Sequence, residues 1–345
     1  MRPKTAFSPL ERGLIAAAGL AIVVLFLQAA ATVVGPLLLA AFISLVAYRP
    51  LRWMQEKGMP KYVALGLVVI ILLDAGSLVA LAMTGAFEGL SESMPVYQNR
   101  LLILSEQLGT WLERIGLEKS AKAVPDLLNP AAATRLVQSA IASLGSSLST
   151  GLLVLLAAVF MPMEAPTAMN KLRAAFDLSA ESDVRLRRIL DVVNRYIIIK
   201  SLASLATGLV IGIWLWLLDI DFAILWALLA VLLNFIPFIG AVLMTIPAVL
   251  LALVQTDIST AFLVALGYVV ANVGIGNIIE PRVMGRSLGL SGVALIVSIV
   301  FWGWVLGTIG VFLAVPMTMA LMIGFEGNPQ TRPISDFLCV RQQHL

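Results

Sequence analysis

Long stretches without a charged side chain constrain this sequence more than any other feature. Six of them contain 18 to 39 residues each, namely 13–48, 136–163, 201–218, 222–256, 258–279 and 287–325. Residues 62–87 form a seventh, interrupted only by Asp74. An α-helix rises about 1.5 Å per residue, so about 20 residues cross a hydrocarbon layer of about 30 Å. The sequence therefore predicts an all-α polytopic membrane protein.

The composition excludes several other classes of protein. Only 12% of the residues are charged, against about a quarter in soluble domains, and the mean hydropathy is +0.98. A single cysteine excludes a disulfide scaffold, and a net charge of +3 is too small for a nucleic-acid footprint. The sequence contains neither a phosphate-loop motif nor a Cys/His cluster. We therefore expect no cofactor, no metal and no nucleic-acid partner.

The three longest uncharged stretches contain helix breakers near their middle. A straight helix of 35 residues would be more than about 50 Å long, so each stretch must turn back at or inside the membrane. The breakers are Gly35 with Pro36, then Asn234, Pro237 and Gly240, and finally Gly303, Gly307 and Gly310. They predict hairpins that either span the membrane or re-enter it, and the sequence does not separate these two alternatives.

The charged residues divide the chain into membrane and aqueous segments. We expect an N-terminal membrane hairpin with a third span (1–87), then an extracytoplasmic helical insertion (88–135) that Pro95, Pro125 and Pro130 divide. A further span (136–163) and a cytoplasmic amphipathic helical segment (164–200) follow. The chain ends with a membrane half that contains two broken hairpins (201–325) and a cytoplasmic tail (326–345).

The basic residues predict how the chain is oriented in the membrane. With a cytoplasmic N-terminus, the inner segments carry 18 Lys and Arg residues and the outer segments carry five. Positive residues concentrate on the cytoplasmic side of membrane proteins, so both termini are predicted to be cytoplasmic. A cleaved signal peptide ending near residues 29–31 is the alternative, but the apolar stretch reaches residue 48 and is far longer than a signal sequence needs.

One short motif resembles that of a serine hydrolase, but the sequence lacks a well-placed base to activate its serine. Gly285, Ser287 and Gly289 match the Gly-x-Ser-x-Gly pattern of serine hydrolases. A serine nucleophile needs a base, and the only histidine, His344, lies beside the last residue. The prediction is that this protein is not an enzyme.

Two acidic residues are candidates for proton or cation coupling. An ionisable group at membrane depth is costly and marks a functional candidate. Asp74 lies about midway through its apolar stretch, and Glu280 ends another beside Pro281, after the amides Asn272 and Asn277. The alternatives are a hydrogen-bonded packing role for Asp74 and an interfacial pair between Glu280 and Arg282.

The broken segments are candidates for a transport path. Unpaired backbone groups at membrane depth are tolerated where they are buried or line a wet cavity, and interrupted segments in two halves of a chain often flank a transporter's binding site. The predicted path or gating residues are Asn234, Pro237, Gly240, Asn272, Asn277, Gly303, Gly307 and Gly310.

Three sequence blocks carry a resemblance to a known family. They are NFIPFIG at 234–240, NIIEPRVMGRSLGLS at 277–291 and FWGWVLGTIGVFLAVP at 301–316. With them, nearly the whole chain resembles the autoinducer-2 exporter (AI-2E) superfamily of bacterial inner-membrane proteins, and most closely its autoinducer-2 branch. The resemblance implies about eight membrane segments and transport of small molecules, either organic signals or sodium and lithium in exchange for protons. It carries over Pro237, Gly240, Glu280, Pro281, Arg282 and Gly285, whereas Asp74 belongs to none of the family's motifs.

Three hypotheses about function follow. The leading one is a secondary transporter that exports a small polar or amphipathic metabolite, with autoinducer-2 as the favoured cargo. The second is a Na⁺ or Li⁺/proton antiporter, in which Asp74 and Glu280 carry the exchange. The third is a membrane scaffold that grips a partner through residues 88–135. The expected partners are a small-molecule substrate, membrane lipid, and H⁺ or Na⁺ as coupling ion. The small-residue motifs at Gly208 and Gly212 and at Gly303 and Gly307 are compatible with a homo-oligomer.

Overall fold

The computed structural model describes residues 9–117, 180–284 and 290–327, with residue 331 and seven residues between 151 and 161. All the regular elements in these residues are helices. They are α1 (Pro9–Ala29), α2 (Ala31–Glu56), α3 (Lys61–Arg114), α4 (Ala180–Leu217), α5 (Ala223–Leu233), α6 (Ile239–Gln255), α7 (Ile258–Ala271), a π-helix (Asn272–Ile279), α8 (Glu280–Met284) and α9 (Gly292–Glu326).

Five helical segments in the described part of the chain are long and apolar enough to cross a membrane. They are Ala31–Glu56, Lys61–Arg114, Glu181–Leu217, Ile258–Met284 and Gly292–Glu326. Large apolar side chains such as Leu20, Leu81 and Leu209 are more than 60% exposed. Helices with apolar outer surfaces satisfy their own backbone groups and suit lipid as a solvent. The described residues therefore form a helical, multi-pass membrane protein.

The chain folds into two compact units, each discontinuous in sequence. The first comprises Met1–Tyr48, Leu156–Tyr196 and Ser287–Leu345, and the second comprises Arg49–Leu155 and Ile197–Arg286. In the first unit, Trp302, Val305 and Leu306 of α9 pack against apolar residues of α1 and α2. In the second unit, the buried cluster contains residues from α3, α4, α5, α6 and α7.

Two of the predicted helix breaks are confirmed. Residues 234–238 interrupt the uncharged stretch 222–256, between α5 and α6. Helix α5 has only 11 residues, which is about 16 Å of helix and too short to cross a membrane. Gly307 interrupts α9 with φ +66° and ψ −148°. The indole nitrogen of Trp302 donates to the hydroxyl of Thr318 at 3.0 Å, although 16 residues of straight helix would separate them by about 24 Å. The two halves of α9 therefore fold back on each other.

The predictions for Pro36 and Pro95 are wrong. Helix α2 runs through Gly35 and Pro36, and α3 runs through Pro95 to Arg114. At Ala30 the amide donates to the carbonyl of Phe26 at 2.9 Å, and the carbonyl accepts from Val34 at 2.8 Å, so helical hydrogen bonding continues from α1 into α2. Pro36 lies in the apolar stretch 13–48, where an unwound turn in lipid would have no water to bond its freed backbone groups. Pro125 and Pro130 lie outside the described residues.

The small-residue motifs are used in contacts within the chain. A Cβ atom at Gly212 would lie 2.9 Å from that of Ala227, and one at Gly208 would lie 2.7 Å from the Ala227 carbonyl oxygen. Gly208 and Gly212 therefore allow α4 and α5 to pack closely. Gly303 faces Val311 across the α9 break, where a Cβ would lie 2.7 Å from the valine methyl group.

Candidate functional site

Helix α4 presents a line of buried polar side chains in an otherwise apolar setting. Lys200, Ser204 and Thr207 are spaced four and three residues apart, which places them on one face of the helix. They are 6%, 0% and 1% exposed. The Thr207 hydroxyl donates to the carbonyl of Ala203 at 2.9 Å, whereas the other two side chains bind residues from distant parts of the sequence.

Lys200 forms a buried ion pair with Glu280. Its ammonium nitrogen lies 3.0 Å from each carboxylate oxygen of Glu280. The side chains are 7% and 12% exposed, so both charges are largely withdrawn from solvent and depend on each other for compensation. The alternative of a pair between Glu280 and Arg282 is wrong, because Glu280 pairs with Lys200 and Arg282 is exposed.

The π-helix, Asn272–Ile279, positions Glu280 next to Lys200. The α-helical pattern of α7 ends at Ala271, and the next eight residues form wider turns that end at Glu280. The Glu280 amide bonds the carbonyl of Ile275, and the following Pro281 has no amide hydrogen to donate. Such π-helical turns occur frequently at functional sites.

The two predicted amides beside Glu280 have different surroundings. Asn272 is partly buried and donates to the carbonyl of Tyr268 at 2.9 Å, within its own helix. Asn277 is exposed. The structure therefore brings a lysine to Glu280, rather than the amide cluster that the sequence suggested.

Asn234 binds α4 one turn beyond the ion pair. Its side-chain amide donates to the hydroxyl of Ser204 at 3.0 Å, and both residues are buried. Pro237 lies in the turn that follows, and Gly240 is the second residue of α6, where a Cβ atom would overlap the carbonyl oxygen of Leu233. The hairpin between α5 and α6 therefore reaches the same face of α4 that holds Glu280.

The other predicted residues do not join this cluster. Asp74 is exposed on α3. Gly303, Gly307 and Gly310 shape the fold-back within α9 in the first unit, and a Cβ at Gly310 would overlap the carbonyl oxygen of Trp302. Gly285 lies outside the described residues. Gly240 and Gly310 thus play equivalent local roles, since each lets a returning helix approach the backbone of the preceding one.

A second polar cluster in the same unit joins residues 88–135 to the acidic turn 219–221, both of which the count of basic residues places outside, and to the end of α6. The Tyr97 hydroxyl donates to a carboxylate oxygen of Asp221 at 2.6 Å, and the side chain of Gln255 accepts from the Asp221 amide at 2.9 Å. Arg100 donates to the backbone carbonyl of Gln255 at the carboxyl end of α6, where a cation is favoured. Lys200 ends segment 164–200 and Glu280 begins segment 280–286, both of which the same count places inside. Each cluster therefore joins segments assigned to one side.

Lys200 and Ser204 were missed by the sequence analysis. Lys200 immediately precedes an uncharged stretch and resembles an ordinary membrane-flanking cation. The available signal was the four- and three-residue spacing of Lys200, Ser204 and Thr207 along a helix whose other residues are mostly apolar. A polar stripe on such a helix indicates a buried partner.

Comparison with known proteins identifies the family. Residues 14–326 match the family model described as "AI-2E family transporter". The AI-2 transport protein TqsA of Escherichia coli K12 is 34% identical, covering 89% of this chain and 89% of that protein. A putative transport protein of Haemophilus influenzae is also 34% identical, covering 93% and 94%. A sodium-lithium/proton antiporter of Halobacillus andaensis is 26% identical, covering 83% and 87%. The chain therefore belongs to the AI-2E family of membrane transporters.

Proposed function

We propose that this protein is a secondary transporter that exports a small polar or amphipathic metabolite across the bacterial inner membrane, with autoinducer-2 as the favoured cargo. The observation that carries this proposal is the buried pair of Lys200 and Glu280, adjoining the contact between Ser204 and Asn234. Secondary transporters place such groups where interrupted helices meet. Two interrupted segments, the α5–α6 turn and the π-helix, meet on one face of α4.

The ion pair offers a way to couple transport to a proton gradient. Protonation of Glu280 would remove the charge that holds Lys200 and leave a buried cation without compensation. The favoured response is a rearrangement of α4 relative to the π-helix, which would also strain the contact of Ser204 with Asn234 one turn away. A proton would thereby bias an equilibrium between two arrangements of the transport path.

The second candidate function is monovalent cation/proton exchange. Glu280 supplies carboxylate oxygens, and Pro281, just after the π-helix, has no amide hydrogen to donate to the preceding turn. Unwound carbonyls and carboxylates are the groups with which secondary transporters bind Na⁺. The relative from Halobacillus andaensis, which is named as a sodium-lithium/proton antiporter, supports considering this chemistry.

Substitutions at the two candidate acids test the proposal by their effects on autoinducer-2 efflux and on salt tolerance. Glu280→Gln and Asp74→Asn remove one acid each, and Glu106→Gln provides a control at an exposed acid of α3. We expect Glu280→Gln to lose autoinducer-2 efflux from cells, while Glu106→Gln retains it. Proton coupling through these acids is wrong if both Glu280→Gln and Asp74→Asn leave efflux intact. Loss of salt tolerance with normal efflux would instead favour the antiporter.

A further inference from the structure

Two aromatic side chains in the second unit bury polar atoms that no described residue satisfies. Tyr268 on α7 is 1% exposed and Trp226 on α5 is 6% exposed. Neither the Tyr268 hydroxyl nor the Trp226 indole nitrogen has a hydrogen-bond partner in the described part of the chain. Both belong to the same buried cluster as Ile211 of α4. Buried polar atoms normally have partners, because leaving one unpaired is costly.

The contacts between α4 and α5 fix the level of Trp226. These helices run antiparallel, since Ser204 binds Asn234 and Gly212 lies against Ala227. Trp226 adjoins Ala227 in sequence. Measured along the axis of α4, it therefore lies at about the same height as Gly212.

The contacts between α4 and α7 fix the level of Tyr268 independently. The Trp214 indole nitrogen donates to the carbonyl of Leu263 at 3.0 Å, and a Cβ atom at Gly267 would overlap the same indole ring. The ion pair of Lys200 and Glu280 joins the other ends, so α4 and the segment containing α7 also run antiparallel. Tyr268 follows Gly267 and is therefore one residue closer to Glu280. Along the axis of α4, this places Tyr268 at about the height of Ile211 and Gly212.

Resting on the proposed transport function, we propose that Trp226 and Tyr268 form a recognition site for an uncharged solute bearing hydroxyl or carbonyl oxygens. The indole N–H only donates, and the phenol can donate or accept. Three segments that contribute to this cluster, 201–218, 222–256 and 258–279, contain no charged residue. An unpaired donor together with a hydroxyl that can donate or accept suits hydroxyl and carbonyl oxygens of a solute. Cation or proton chemistry belongs to Glu280, in the separate ion pair with Lys200.

The direct test measures binding to the purified full-length protein by titration calorimetry, with D-ribose as a neutral, oxygen-rich probe, autoinducer-2 as the proposed cargo, and sodium chloride. Tyr268→Phe and Trp226→Phe should each weaken binding of D-ribose and autoinducer-2 by about threefold to tenfold, the value of one hydrogen bond. We expect neither substitution to change the affinity for sodium.

Matched variants separate recognition from structural damage. Tyr97→Phe and Trp302→Phe remove polar atoms that do have partners, Asp221 and Thr318. They should lower the thermal midpoint, and Trp302→Phe should leave binding unchanged. Tyr268→Phe removes an unpaired hydroxyl, so its midpoint should stay the same or rise.

The site is refuted if the wild type binds neither D-ribose nor autoinducer-2, or if Tyr268→Phe and Trp226→Phe bind both as tightly as the wild type. Flux in proteoliposomes separates this from the transport proposal. Export of autoinducer-2 that is equal in all variants would leave the transporter proposal intact and contradict the site. Binding of D-ribose that is lost in Tyr268→Phe, without any autoinducer-2 flux, would support the site and contradict the proposed cargo.

Discussion

At the scale of single residues, the pair of Lys200 and Glu280 dominates the energetics of the site. Withdrawing a lysine or a carboxylate from water is costly, and the attraction between them offsets this only while both are present. Two 3.0 Å contacts to one carboxylate satisfy that condition. Because either charge alone would be uncompensated, loss of one partner has a larger effect than loss of both.

We therefore expect Lys200→Met to destabilise the protein by about 3–5 kcal/mol, since it leaves Glu280 buried and unpaired. The double variant Lys200→Met/Glu280→Met should recover most of this loss. Thermal unfolding in mixed micelles measures both. A double variant less stable than either single variant would show that the two charges are not coupled in this way.

Glu280 was predictable from the sequence and Lys200 was not, for a physical reason. An acid at the end of an apolar stretch beside a proline is conspicuous by itself. The importance of a lysine at a membrane boundary depends on what faces it, and Glu280 is 80 residues away in the sequence. The eight-residue π-helix that brings the two together has no distinct sequence signal, since glycine and asparagine are equally common in turns.

At the scale of helices and hairpins, glycine decides how closely a returning helix can approach. Gly240 lies against the carbonyl of Leu233, and Gly310 lies against that of Trp302. The sequence predicted both breaks because Asn234, Pro237 and Gly240 cluster at one, and three glycines cluster at the other. It mispredicted Gly35 with Pro36 and Pro95, because a single proline removes one backbone donor without ending the helix, and α2 and α3 run through these positions.

Gly240→Ala should destabilise the protein by about 1–3 kcal/mol, since the added methyl group must displace backbone. It should also reduce transport, because the same hairpin carries Asn234 to α4. Gly19→Ala is the control, since no described atom lies within 4 Å of its Cβ position. Equal thermal midpoints and equal flux for the two variants would contradict this account of the hairpin.

At the scale of the whole molecule, the polar clusters agree with the charge bias of the aqueous segments. Lys200 and Glu280 belong to segments assigned to the cytoplasm, 164–200 and 280–286, and Tyr97 and Asp221 belong to segments assigned to the outside, 88–135 and 219–221. Basic residues are held on the cytoplasmic side during insertion, which makes this orientation a prediction of the sequence. The predicted cytoplasmic side of residues 1–12 depended on a hairpin within residues 13–48. Helices α1 and α2 do not form that hairpin.

Single cysteines in a Cys339→Ser background test the orientation with a membrane-impermeant maleimide. A cysteine at Asp257, which is exposed between α6 and α7, should be labelled in intact cells. One at Arg282, also exposed, should be labelled only after permeabilisation. The reverse pattern would invert the orientation.

A cysteine at Thr5 tests the N-terminus separately. Labelling only after permeabilisation is expected from the count of basic residues. Labelling in intact cells would show that α1 and α2 together cross the membrane once, and would correct the predicted side of the N-terminus.

The most direct test of the central proposal is flux into proteoliposomes that contain the purified protein, comparing autoinducer-2 with sodium, with and without an imposed pH gradient. The account predicts autoinducer-2 movement that responds to the gradient and is lost in Glu280→Gln. Sodium-driven proton movement without any organic flux would contradict it and identify the protein as a cation/proton antiporter.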